Sequence, residues 1–329
     1  MGLGISITVN NIPDAELTNL ANRIRVTERM GDSTQYTIEF DVDADQGELP
    51  VLEDSRFDPG SMLSVLVPTE TTTHSLVRGP VIGHDVSLEH GVAGSSLEVR
   101  GADRTIEMDR ETESQIWDEV SDNVVVVSIC ADYGLLFDIE PTDSVHSSQQ
   151  HALVQRETDL QFVRRLARRN GFDFWVTSDQ FGIETAHFKP PPVSNVLEKP
   201  LVINQSPPNV QKISFSWDIE QPASIQGQQL DLNSLDTMEI GVEESPVASL
   251  GSQSFQSLLP GSNSVHVHAP VDDAGDLRAR GNGTALDASW FLSADCEVTL
   301  EHYGDVIRPY SVITLEGAGG RYSGQYFVS

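Results

Sequence analysis

Between positions 155 and 178 the hydrophobic and polar residues follow first a helical period and then a period of two. Thr158 and Gln161 have the spacing of a capping box, which predicts the start of a helix. Asn170-Gly171 is a left-handed C-cap signal, which predicts its end. Apolar residues recur between these signals on one face of the helix: Leu160, Phe162, Val163, Leu166 and Ala167.

The period changes directly after this helix. Phe172, Phe174 and Val176 alternate with other residues, and this alternation predicts a strand. Residues 177–182 then predict a turn, and residues 183–188 predict the returning strand.

The first 110 residues predict β-structure almost throughout. Candidate strands cover 5–9, 35–42, 62–67, 81–88 and 95–100, with short polar or Gly/Pro breaks between them. We expect a first β-barrel domain over residues 1–110.

Residues 111–200 mix the two periods. The β-branched segment 124–129 favours a strand by composition. We predict a helix instead, because Ser121-Asp122 can cap its start and Tyr133-Gly134 can end it. We expect a peripheral α/β domain over residues 111–200.

A second β-barrel domain with loops is expected over residues 201–329. A long strand is predicted at 210–219, exposed loops at 221–261, and a partly helical segment at 272–294 that Gly281 and Gly283 weaken. The closing strands are predicted at 297–300, 311–315 and 324–328.

The helix and strand at 157–174 also resemble a segment of the phage late-control gene D and baseplate-hub family, which the hub half of VgrG spike proteins of type VI secretion shares. Segments 97–108, 116–135 and 304–328 resemble other parts of that family in the same order, so the resemblance covers most of the chain. The residues that carry the motif are Glu157, Thr158, Asp159, Leu160, Phe162, Arg164, Arg165, Leu166, Asn170, Gly171 and Phe174.

The resemblance implies a mainly β chain with an α+β insertion: two small, tube-like β-barrel domains and a peripheral mixed α/β domain. It implies a noncatalytic baseplate hub without cofactors, in which a homotrimer joins the hexameric inner tube to a trimeric spike. Expected partners are the tube protein, baseplate wedge or adaptor proteins, and a spike on a separate polypeptide, because no β-helical repeat precedes Ser329. The family usually continues slightly further, so we expect that a short tail is missing.

Two other functional classes stay open. One is a tail-tip receptor-binding or adhesion module, since such trimers are equally free of catalytic motifs. The other is a tail-associated hydrolase that uses an acid pair. Glu157 and Asp159 resemble such a pair, but acidic residues favour helix N-termini, and we interpret them as cap electrostatics.

The charge is strongly acidic. There are 50 Asp and Glu against 20 Lys and Arg, a net charge of −30, which excludes a basic surface for nucleic acid. A halophilic surface explains this composition best, and a negative lumen for acidic cargo is the alternative. No apolar run approaches the ~20 residues of a membrane span and no signal peptide is evident, so we expect synthesis in the cytoplasm and assembly into a virion tail or contractile injection particle.

Candidate chemistry is sparse. His266 and His268, with Asp272 and Asp273 nearby, are residue types that can bind a metal ion. We interpret the two histidines as an incidental pair on a strand and predict no metal. Cys130 and Cys296 are expected to be buried free thiols. Four arginines form the remaining face of the predicted helix, and we leave open whether they pair with carboxylates or are solvated: Arg164, Arg165, Arg168 and Arg169.

Overall fold

The computed structural model describes residues 4–42, 50–70, 72–90, 94–142, 144–147, 152–218, 222, 224–230, 236–243, 245, 250–251, 264–267 and 274–329. The chain divides into two compact units. Unit 1 comprises Met1–Arg110, Tyr133–Phe137 and Trp175–His187, and unit 2 comprises Glu111–Asp132, Asp138–Phe174 and Phe188–Ser329.

The described chain is mainly β. Its strands are β1 Ser6–Val9, β2 Ile12–Pro13, β3 Ala21–Thr27, β4 Gln35–Asp41, β5 Met62–Pro68, β6 Thr73–Ser87, β7 Ser96–Ala102, β8 Gln115–Trp117, β9 Val120–Ser121, β10 Leu136–Ile139, β11 Val145–His146, β12 Leu153–Gln155, β13 Asp173–Ser178, β14 Glu184–Lys189, β15 Leu201–Val202, β16 Lys212–Trp217, β17 Ser224–Leu230, β18 Thr237–Val242, β19 Ser264–Val267, β20 Leu292–Glu297, β21 Val312–Glu316 and β22 Gly324–Phe327. Its α-helices are α1 Ala15–Leu20, α2 Thr105–Met108, α3 Asp122–Asp132, α4 Asp159–Asn170, α5 Ala274–Ser289, α6 Leu300–Tyr303 and α7 Gly319–Tyr322, and Pro50–Glu53 and Ser55–Phe57 are short 3₁₀ helices.

Unit 1 is built on a seven-stranded antiparallel sheet of order β2-β1-β5-β6-β7-β4-β3. The long strand β6 joins its two halves, because residues up to Pro80 pair with β5 and residues from Val81 pair with β7. Register shifts at Val65/Leu66 and Val81/Gly83 mark irregularities that bend such a sheet. Among the described strands the order is open, and none of the sheets closes into a barrel.

One face of this sheet covers the core of unit 1. Alternate residues of β4 point inward, so that Tyr36, Ile38 and Phe40 are at most 1% exposed. Gly101 on the neighbouring β7 makes room for Tyr36, because an ideal Cβ on Gly101 would lie 2.0 Å from the ring of Tyr36. A side chain at position 101 would therefore displace the ring.

Five of the strands predicted in unit 1 are present as β1, β4, β5, β6 and β7, and β6 begins earlier than the pattern indicated. The segment Ile12–Thr27, for which we predicted no element, forms β2, α1 and β3. Asp14 caps α1 by accepting from the Leu17 backbone amide at 2.9 Å. The helix α1 and the strand β2 carry too few residues to show a clear period.

Unit 2 contains several small sheets and three longer helices. Two-stranded pairs are β9 with β11, β8 with β12 and β16 with β20, and the three-stranded sheets have orders β15-β21-β22 and β18-β17-β19. The remaining sheet of the chain has order β10-β14-β13. The helix predicted for the β-branched segment 124–129 is present as α3. The predicted cap residues have other partners, because the Ser121 hydroxyl donates to the Asn123 side chain and the Asp122 carboxylate accepts from His146.

The prediction of exposed loops at 221–261 is wrong for β17 and β18. Ser224–Leu230 pairs with Thr237–Val242 over six residue pairs, and Ile225 is 1% exposed. Helix α5 packs on this sheet, and Gly281 allows the contact, since an ideal Cβ there would lie 2.5 Å from Ile240 Cδ1. The glycine that weakens the helical pattern therefore serves close packing.

Two further expectations for unit 2 are wrong. The strand predicted at 297–300 ends at Glu297, because the strand pairing of Lys212–Trp217 runs against Leu292–Glu297. Cys130 is a buried free cysteine as expected, but Cys296 in β20 is an exposed free cysteine.

No helix in the described part of the chain combines the length and the apolar character that a membrane span requires.

Candidate functional site

Helix α4 is the centre of the candidate site, and its ends are set by local sequence. The Thr158 hydroxyl oxygen accepts from the Gln161 amide at 3.3 Å. At the other end Gly171 adopts φ +69° and ψ 27°, while the Phe172 amide donates to the Ala167 carbonyl at 2.9 Å. This pair of features is a Schellman motif, and it satisfies carbonyls that the helix end would leave open.

The apolar face of α4 is anchored in the core of unit 2. Leu160, Phe162 and Leu166 are at most 1% exposed, and burial of each such side chain contributes about 1.5–3 kcal/mol. Trp117 of β8 stacks on Phe162 with ring centroids 6.5 Å apart. The helix is thus anchored along its apolar face.

The chain segment before α4 is held by strand pairing. Residues 153–155 of β12 pair with β8, and Thr158 forms a bridge with Thr112. The buried Gln155 accepts from the Trp117 indole at 3.2 Å and donates to Asp159 at 2.6 Å. Asp159 is therefore fixed beside the N-terminus of α4, where its negative charge interacts favourably with the positive end of the helix dipole.

A buried polar network surrounds the last turn of α4. The carboxylate of Asp122 in α3 accepts from His146 Nε2 at 2.7 Å and from the Asn170 amide at 2.7 Å. Arg169 Nε donates to Asp276 of α5 at 2.8 Å and lies 3.7 Å from Asp122. The network joins three helices and β11 through groups that are almost fully buried, so removing one charge leaves its partner uncompensated at a cost of about 3–5 kcal/mol.

The geometry assigns the proton on His146. Arg169 can only donate, and its Nη2 lies 3.5 Å from His146 Nδ1, so Nδ1 is the acceptor and Nε2 carries the proton toward Asp122. The imidazole is 0% exposed. The ring lies between the Asp122 carboxylate and the Arg169 guanidinium, and it links β11 to α3 and α4.

The arginines of α4 divide into different roles. Arg165 Nε donates to Glu157 at 2.6 Å, and its guanidinium lies 4.9 Å from the Phe162 ring centre. This pair is partly exposed and contributes at most about 1 kcal/mol. Asp276 also accepts from Arg280 at 3.2 Å, so one buried carboxylate holds two guanidiniums.

Helices α4 and α5 border a cleft of about 650 Å³. They approach closely at two glycines, where an ideal Cβ on Gly171 would lie 2.9 Å from Gly283 Cα. We call this space the arginine cleft, and its charged lining consists of Glu157, Arg164, Arg165, Arg168, Arg169 and Arg280.

A pair of carboxylates lies beside this region. Burial, and then the charge of Asp287, raises the pKa of Asp173 to about 6. Burial also raises the pKa of Asp287, while the charge of Arg168 opposes that shift. Ionisation of Asp173 is therefore less favourable in the folded protein than in the unfolded chain.

Solved structures with a similar fold are phage tail proteins. The 43 kDa tail protein of prophage MuSo2 from Shewanella oneidensis aligns over 98% of this chain and 91% of its own, with 13% identity and a TM-score of 0.64. A tail protein from Neisseria meningitidis MC58 aligns over 99% and 90%, with 11% identity and a TM-score of 0.63. A comparison with curated protein sequences gave no significant match.

A sequence family model matches residues 5–244, and its description is the Alg8 N-terminal domain. The chain belongs to the Alg8 N-terminal domain family. The Alg8 N-terminal domain match contains α4 and most of the buried network, but ends before Asp276 and Arg280 of α5. The arginine cleft of this family member therefore includes residues from outside the matched segment.

The residues of the predicted motif all lie in or beside α4, and they separate by role. Glu157 and Arg165 pair with each other, and Arg164 lines the cleft. Thr158, Asn170 and Gly171 bound the helix. The buried apolar members of the motif are Leu160, Phe162, Leu166 and Phe174.

Sequence reasoning did not find the partners that complete the site. Asp122, His146 and Asp276 are distant in sequence from α4, and the one local signal is the i,i+4 spacing of Asp276 and Arg280. The candidate metal pair cannot be placed, because His268, Asp272 and Asp273 lie outside the described residues. Within the described part of the chain, no group of three or more His, Cys, Asp or Glu is arranged to hold a metal ion.

Proposed function

We propose that this chain is the structural hub of a contractile tail or contractile injection baseplate. In this role it is a homotrimeric adaptor, related to late-control gene D hubs, that joins a hexameric inner tube to a trimeric spike. The observation that carries the proposal is the alignment of 98% of the chain with a phage tail protein at a TM-score of 0.64.

The described architecture is compatible with this role. Unit 1 presents a seven-stranded sheet whose edge strands β2 and β3 each have one neighbour among the described strands, and a sheet edge of this kind can pair with a strand of another subunit. If each subunit forms two tube-like barrels, a trimer has six barrels around its axis. The three-domain division at residues 110 and 200 is part of this proposal.

A noncatalytic role also fits the site. The acid–histidine pair beside α4, Asp122 and His146, is buried and joined by a hydrogen bond. A tube, a separate spike and wedge or adaptor proteins are the partners that such a hub requires. We place its synthesis in the cytoplasm and its final location in the particle.

Copy number tests the proposal. Particles purified through a tag on this chain should contain about three copies of it for each spike trimer and many more copies of the tube protein, measured by quantitative mass spectrometry. Recovery without tube or spike, or in copies that exceed the tube protein, would contradict the hub role. Binding of the isolated chain to cell-surface material would instead favour a receptor-binding module.

A further inference from the structure

The arginine cleft concentrates cations in a protein that is otherwise acidic. It is lined by five of the 20 Lys and Arg residues of a chain whose net charge is −30. Among the described lining residues Glu157 is the acidic one. The cleft is therefore positively charged although the chain as a whole is negatively charged, and it attracts anions locally.

Hydrogen bonds to carboxylates of the same chain fix several of the arginines that line the cleft. The buried carboxylate of Asp276 accepts from Arg169 and from Arg280, at 2.8 and 3.2 Å. Arg165 is fixed by Glu157 and by the Val154 carbonyl, to which it donates at 3.0 Å. Guanidiniums positioned in this way lose little side-chain entropy when a ligand binds.

Arg168 is, with Arg165, one of the two exposed arginines that line the cleft, and it lies one turn after Arg164 on the same helix face. One helical turn separates these positions by about 5.4 Å along the axis. Two guanidiniums at this separation can each take one carboxylate from a short chain segment. The volume of about 650 Å³ admits a few side chains and is too small for a nucleic-acid duplex.

We propose that the arginine cleft binds an acidic peptide segment through at least two of its carboxylates. Carboxylates are favoured because the cleft already pairs arginines with carboxylates of its own chain, at Glu157 and Asp276. The proposal is independent of the hub role.

The experiment measures binding of a fluorescein-labelled peptide of alternating Glu and Gly to the full chain by fluorescence anisotropy, at one fixed KCl concentration. Arg168→Glu should weaken binding by at least about tenfold, because it reverses a charge that faces the ligand. Arg278→Glu is the matched control, since Arg278 is an exposed helical arginine of the same unit that does not line the cleft. It should change the dissociation constant less than about twofold.

Arg168→Lys distinguishes bidentate recognition from charge alone. This variant keeps the charge and the fold but loses the planar guanidinium, so binding should be weaker than in the wild type and stronger than in Arg168→Glu. Melting temperatures of all variants report folding, and a variant that fails to fold is replaced by Arg168→Gln, for which the same order is expected.

Several outcomes would overturn the proposal. These are equal loss in Arg168→Glu and Arg278→Glu, binding of a matched Gln-Gly peptide with the same affinity, and displacement by inorganic phosphate at concentrations at which free glutamate has no effect. If the wild-type chain is oligomeric, dissociation of the oligomer by the Glu-Gly peptide would support the proposal and identify a second copy as the donor of the segment.

Discussion

Replacing Gly171 with Ala should destabilise α4 and its contact with α5 by about 2–4 kcal/mol. Two costs combine. Gly171 has φ +69°, and the left-handed conformation costs an L-residue about 1–2 kcal/mol. The new Cβ would also lie 2.9 Å from Gly283 Cα, and overpacking of this kind costs typically about 1–3 kcal/mol.

A matched control separates these two costs. Gly134 has φ +66°, but an ideal Cβ there meets no atom within 4 Å. Gly134→Ala therefore carries the conformational cost and the same gain of about 0.4–1 kcal/mol from a less flexible unfolded chain, without the clash. The difference between the two variants should be at least about 1 kcal/mol.

Hydrogen exchange read by mass spectrometry is the suitable assay, because a chain of two units need not unfold in one step. The opening free energy of α4 amides should fall in Gly171→Ala by more than that of α3 amides falls in Gly134→Ala. Equal losses in the two variants would show that the close approach of α4 and α5 does not constrain position 171.

Three further predictions concern the core, the buried acid and the surface. Leu166→Asp should lower the free energy of unfolding by more than about 3 kcal/mol because it buries an unpaired charge, and urea titration would contradict this if the exposed-site control Gln161→Asp were equally costly. Asp173→Asn should stabilise the protein by about 3 kcal/mol at pH 8 and by about half as much at pH 5, because the pKa of about 6 in the folded state means that the penalty for ionising Asp173 accrues as pH rises from the unfolded pKa to the folded one; equal melting-temperature gains at both pH values would contradict that assignment. A net charge of −30 predicts a melting temperature that rises with KCl, since about 1 M salt screens repulsion beyond about 3 Å, and a fall with added KCl would contradict salt adaptation.

Local signals were enough to predict α4. Its caps at Thr158 and Gly171 and its apolar face lie within 14 consecutive residues, and the structure places the helix where they indicate. The strands β4 and β5 were predicted for the same reason, since each is a continuous apolar or alternating run.

Long-range pairing explains most of what the sequence did not predict. Strand β17 is rich in Ser, Gln and Gly, and it forms because β18 and β19 pair with it and Ile225 is buried. The network around Asp122 depends on His146 and Asp276, which lie 24 and 154 positions away. Local hydrophobic periodicity carries no information about such contacts. For the same reason the sequence predicted the arginine-rich face of α4 but not the residues of α5 that complete the arginine cleft.

Electron cryomicroscopy of the purified particle, reconstructed without imposed symmetry, tests the hub role most directly. We predict density for three copies of this chain around the particle axis, between the last ring of the tube and the base of the spike. Density for the chain away from the axis, or six copies in a ring of the tube itself, would contradict the account.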